Sequence, residues 1–188
     1  QTRDGSYIPG VIAAKPPHFM SDVEKHRVPE VADMSIDIGA SSLEEAQDVF
    51  GIRVAAPVVP DVTFEYDEKH DLMFGKAFDN RLGCAAILAT LDALNGETLD
   101  VDVVGAMASQ EEVGTRGSKV AAQQILPDIG IAVDITPAHD YPNDLTGHNK
   151  VGKGIAVKVC DPSVIADEDV LEILEKLCGE KGIPYQRE

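Results

Sequence analysis

"LDVDVVGAMASQEEVGTRGSKVAAQQIL", residues 99–126, has the layout on which the fold reading turns. Residues 99–109 are mostly small and apolar, the texture of a strand buried on both faces. Two adjacent carboxylates follow, Glu111 and Glu112, and then Gly114, Arg116 and Gly117. Ser118 opens a helical pattern that Pro127 stops. Strand, acidic turn and helix in this order are the unit of an α/β fold. In open α/β sheets ligands gather beyond the carboxyl ends of the strands. The turn is therefore either an ordinary charged loop or the edge of a site.

Working outward, "LGCAAILATLDAL" (82–94) is apolar nearly all round, which predicts a deeply buried helix. "IGIAVDI" (129–135) predicts a second buried strand. "DEDVLEILEKLCGEKG" (167–182) is amphipathic, with Asp167 placed to cap it and an acidic first turn. Val170, Leu171, Leu174, Leu177 and Cys178 line its apolar face. Helix, strand, helix, strand, helix predicts an α/β domain with a mostly parallel sheet flanked by helices. Residues 1 to about 60 have another texture. "SYIPGVIAA" and "MSIDIGA" read as short strands, and "SSLEEAQDVFG" as one short helix with Ser42 as cap, Glu45 completing a capping box and Gly51 as stop.

Composition narrows the function classes. The chain has 188 residues, room for one sizeable domain or two small ones. Its formal net charge of −17 repels phosphate backbones and argues against nucleic-acid binding. No apolar run approaches the roughly 20 residues of a membrane helix, and "QTRDGSYIPG" has no apolar signal region. Three cysteines without paired spacing suggest neither a disulfide framework nor a zinc knuckle, and fit a reducing cytoplasm. The acidity has two readings: solvation, or carboxylates that gather metal cations or a cationic substrate group.

Three acidic positions fall at expected strand or helix edges. Glu111 and Glu112 close one strand, Asp134 closes the other, and Asp79 in "GKAFDNRLG" stands just before the long helix. Asp79 alone could simply cap that helix, and the glutamates could be solvated. Asp134 is harder to dismiss, because a carboxylate ending a buried strand needs a partner, an arginine or a metal. If the three edges converge, their mutual repulsion calls for a cation. Neighbouring side chains on an ideal strand point to opposite faces. Both glutamates can reach one site only if the backbone departs from strand geometry there.

At these residues the sequence resembles the glutamyl aminopeptidase and deblocking aminopeptidase family of co-catalytic metallopeptidases, which includes the tetrahedral dodecameric enzymes. The matching segments are "RDGSYIPGVIAAKPPH", "SIDIGASSLEEAQDVFGI", "GKAFDNRLGCA", "QEEVGTRGSKVAA", "IAVDITPAHDYP" and "GIPYQRE", in family order from near the first residue to the last. The resemblance implies a zinc-exopeptidase-like fold and removal of N-terminal residues from peptide substrates. It implies two divalent metal ions, Zn2+ or Co2+. Asp79 would bridge them, Glu112 would bind one and Asp134 the other, and Glu111 would be the general base. It further implies a cis peptide bond at Asp79–Asn80. Residues 1–61 would be an inserted β-rich domain that mediates homo-oligomer contacts, up to a dodecamer. Residues 62–188 would be the metallopeptidase domain.

The family site also uses an upstream His-x-Asp and a downstream histidine. None of His18, His26, His70, His139 and His148 matches either, which implies a central fragment with weakened metal affinity. His139, near Asp134, is the candidate substitute ligand. Two other readings compete. Paired carboxylates also serve glycoside hydrolases, but those flank a sugar groove typically lined with aromatics, and this chain has 5% aromatics and no Trp. A non-catalytic assembly module is the other.

Overall fold

The computed structural model describes residues 1–144 and 146–188. The chain forms two compact units, Gln1–Lys76 and Ala77–Glu188. The resemblance divides the chain at 61/62, whereas the units divide at Lys76–Ala77, so residues 62–76 belong to the first unit.

In the first unit, β1 (Val11–Ala13) pairs antiparallel with β2 (Ser35–Asp37), with Ile12 opposite Ile36. Gly10 permits this closeness, since a Cβ there would sit 2.6 Å from the Ile36 side chain. Between the strands lies α1 (Asp22–Lys25), closed by a capping box of Ser21 and Glu24 that the sequence reading did not single out. The predicted short helix is α2 (Leu43–Asp48), and Ser42 accepts the Glu45 amide as expected. Glu45 reaches one residue further back than a capping box requires, accepting from the Ser41 amide at 2.8 Å. A hairpin of β3 (Glu65–Asp67) and β4 (Leu72–Phe74) follows. The Tyr66 hydroxyl donates to Asp71 across its turn at 2.6 Å.

The second unit carries α3 (Phe78–Ala93), α4 (Arg116–Ile125), β5 (Ile155–Val157), α5 (Glu168–Lys181) and β6 (Tyr185–Arg187). β5 and β6 pair in parallel with α5 between them, a β–α–β crossover. Val157 from β5 and Cys178 from α5 are each 5% exposed, and they are the buried apolar pair of this crossover. The Asp167 carboxylate caps α5 by accepting the Asp169 and Val170 amides, and Gly182, at φ 65°, ends it.

The α/β class stands, but the mostly parallel sheet requires correction. Among the described residues the parallel pairing is β5–β6 alone, and the other two ladders are antiparallel. The segments expected as buried strands, 99–109 and 129–135, carry no ladder. Their large apolar side chains remain exposed, from 39% at Val133 to 69% at Val101. An apolar run expresses a demand for burial, whereas a strand also needs a neighbour to take its backbone bonds. The long helix is likewise not deeply buried: Leu82 is 44% exposed and Leu88 56%. It does rest on residue 105, where an added Cβ would meet the Ile87 side chain at 2.6 Å. No helix among the described residues is long and apolar enough to cross a membrane.

Candidate metal centre

The two glutamates stand on a tight turn rather than on a strand. Gln110 has φ 56° and Thr115 φ 53°, both left-handed, and Gly114 has φ 111°. The Glu111 carbonyl accepts from the Gly114 amide at 3.0 Å and the Thr115 amide at 2.8 Å. The Gly117 amide then donates back to the Ser109 carbonyl at 2.9 Å. A Cβ at Gly117 would lie 2.6 Å from the Ser109 backbone nitrogen, so a side chain there would force the turn open. This is the departure from strand geometry that lets adjacent side chains escape opposite faces. The same turn starts α4 at Arg116, two residues before the expected Ser118.

Asp79 is free of the capping role it could have had. Asp79 and Asn80 are non-helical, and the peptide bond between them is cis. The bond that caps the helical stretch beyond them is made by Asn80, whose Oδ1 accepts the Gly83 amide at 2.9 Å. The same side chain donates through Nδ2 to the Val133 carbonyl at 2.8 Å, directly before Asp134. Asp134 in turn accepts the Ile135 amide at 2.8 Å. Asn80 was not among the predicted site residues. Its signal was an amide, with both donor and acceptor, next to a candidate ligand and three residues before a glycine.

Glu112 feels the charge of the other three acids. Asp79 is the main cause holding the Glu112 carboxyl above the usual glutamate range; Glu111 and Asp134 push the same way. Like charges near one another penalise the ionised form of a carboxyl. A retained proton relieves the repulsion, and so does a divalent cation shared among carboxylate oxygens. The donor chemistry therefore fits a hard or borderline divalent ion. The geometry is looser than a finished site: among the described residues no three His, Cys, Asp or Glu side chains already stand in metal-holding positions.

His139 is engaged elsewhere. Its Nδ1 pairs with Asp144 at 2.8 Å, with Asp144 4% and His139 21% exposed at the side chain. The Thr146 hydroxyl and backbone amide, followed by His139, hold the Asp144 carboxyl well below the usual aspartate range. The ring packs on Gly147, where any Cβ would collide with it. A groove of about 410 Å³ runs between Met107–Gln110 and α4, lined also by Arg116 and Val120. None of the four acids lines it, so it is distinct from the carboxylate cluster.

Known proteins share this arrangement of chain. The M42 glutamyl aminopeptidase family profile matches residues 1–188. A glutamyl aminopeptidase of Lactococcus lactis is 33% identical over 165 residues, covering 87% of this chain and 46% of its own. The structure is similar to that of a TET aminopeptidase from the marine sediment archaeon Thaumarchaeota archaeon SCGC AB-539-E09. The TM-score is 0.88 at 33% identity, over 96% of this chain and 51% of that one. It is also similar to the PhTET1-12s dodecamer, with a TM-score of 0.72 at 30% identity, over 95% and 51% of the two chains. The chain thus spans about half the length of the relatives it matches. By the match along its whole length, the chain belongs to the M42 glutamyl aminopeptidase family.

Proposed function

We propose that this chain is the central part of a metal-dependent aminopeptidase that removes N-terminal residues from peptides. The observation that supports this reading is the family match over residues 1–188, joined by the charge that Asp79, Glu111 and Asp134 exert on Glu112. Asp79 would be shared between two divalent ions, Zn2+ or Co2+, with Glu112 holding one of them and Asp134 the other. When bound, such a pair supplies a Lewis acid for the scissile carbonyl and a site where water is activated near neutral pH.

The chain's own residues do the rest. Glu111 takes the proton from the attacking water and passes it to the departing amine. The turn closed at Gly114 takes Glu111 and Glu112 out of strand alternation, which leaves the two carboxylates free for separate tasks. The concentrated negative charge favours a substrate bearing a protonated α-amine over a blocked one. Residues 1–61 would supply homo-oligomer contacts, in keeping with the dodecamer among similar structures.

The test is hydrolysis of aminoacyl anilides by the chain and by a version extended to family length, each with and without chelator. Chelator-sensitive release of the N-terminal residue supports the proposal. Chelator-resistant cleavage of cellulose oligomers would instead support a glycoside hydrolase, which the aromatic-poor composition does not favour.

A further inference from the structure

The four acids come from three separate stretches of chain, and something must set their spacing before any cation arrives. Asn80 is placed to do so between Asp79 and Asp134. It adjoins Asp79 in sequence, and its Nδ2 donates to the carbonyl of Val133, the residue before Asp134, at 2.8 Å. Its Oδ1 accepts the Gly83 amide at 2.9 Å, which pins the side chain to the start of the helical stretch. A carboxamide can donate and accept at once, and no other side chain of this size does both in this geometry.

Gly83 makes the approach physically feasible. It is the buried residue of α3. A Cβ there would lie 2.6 Å from the Val133 carbonyl oxygen and closer still to the Asn80 carboxamide oxygen. The helix start, the Asn80 amide and the backbone before Asp134 therefore form one three-way contact that tolerates no added atom.

We propose that Asn80 is a positioning residue, a clasp that couples the backbone bearing Asp79 to the backbone bearing Asp134 and so sets the width of the cation site. The inference rests on the proposed metal centre and concerns how that centre is held open at the right span. Partners that orient metal ligands without touching the metal typically matter by about 10- to 100-fold in affinity.

Three variants of the chain extended to family length separate clasp from cap. Asn80→Ser keeps a good helix cap but is too short to reach Val133, and it adds no charge. Asn80→Ala removes both functions. Asp167→Ala removes the cap of α5, away from the acids, and reports on stability alone.

The probe is Co2+, read by titration calorimetry and by its visible absorption, with amide hydrogen exchange over residues 131–135 measured without metal. The expected result is a Co2+ affinity lowered about tenfold or more in both Asn80 variants, with changed absorption and faster exchange at 131–135. Asp167→Ala should leave the isotherm and spectrum as in the wild type.

Wild-type affinity, spectrum and exchange in Asn80→Ser would overturn the clasp, leaving Asn80 only a cap. Asp79→Asn distinguishes this failure from that of the underlying reading. Loss of Co2+ in Asp79→Asn with none in Asn80→Ser removes the clasp alone. Equal uptake in wild type and Asp79→Asn, or none in the wild type, removes the metal centre and the clasp with it.

Discussion

The Glu111 carbonyl accepts the Thr115 amide at 2.8 Å, and that bond closes the turn on which both adjacent glutamates stand. Backbone geometry thus carries the site as much as its carboxylates do. Gly114, at φ 111°, is the residue that makes the closure cheap.

Gly114→Ala tests this. No neighbouring atom lies within 4 Å of a Cβ built there, so the substitution acts through conformation and not through a clash. It should cost about 1–3 kcal/mol, the usual strain for a side chain held at such a φ. A lowered urea midpoint together with weakened Co2+ uptake is the expected result; an unchanged midpoint would show that the turn tolerates a side chain.

Glu111→Gln separates proton transfer from metal holding. The amide keeps the shape but loses the basicity. In the family-length enzyme, metal content should stay at the wild-type level while kcat falls roughly 100- to 10,000-fold, the usual range for a general base. Retained turnover would take the base assignment away from Glu111.

Asp79→Asn removes the carboxylate that dominates the surroundings of Glu112. Both ions should be lost on dialysis, as measured by elemental analysis. The Glu112 carboxyl should also move back toward the ordinary glutamate range, visible in a carboxyl NMR titration. Unchanged metal stoichiometry would exclude a bridging role.

Acid sensitivity should trace to Asp144. Its carboxyl is held low by Thr146 first and then by His139. A carboxylate lowered on folding contributes stability that is full above its unfolded value, 3.8, and is lost as pH falls through the folded one. Asp144→Asn should therefore lower stability at neutral pH and flatten the acid limb of the denaturation profile below the ordinary aspartate range. An acid limb identical to wild type would show that the cluster does not contribute.

Local chemistry was legible from the residues alone. Asp167 caps α5, because capping needs only a side chain and amides two or three residues away. The short helix after Ser42 was legible for the same reason. The start of α4 moved to Arg116, since a left-handed Thr115, invisible as a propensity, turns the chain early. The acids at 79, 111, 112 and 134 stood out as carboxylates at element edges. Asn80 did not, because its importance lies in a carbonyl 53 residues away.

What the sequence determined by itself was therefore the helices, their local caps and the identity of the candidate acids, all set by interactions within a few residues. Pairing and convergence belonged to tertiary structure. Residues 99–109 read as a buried strand yet pair with nothing among the described residues, while β5 and β6, separated by a whole helix, form the parallel ladder. Likewise, nothing in the spacing of the four carboxylates says how near one another they stand. That depends on how distant backbone segments are held together, and long-range contacts of that kind, such as Asn80 to the Val133 carbonyl, leave no local pattern.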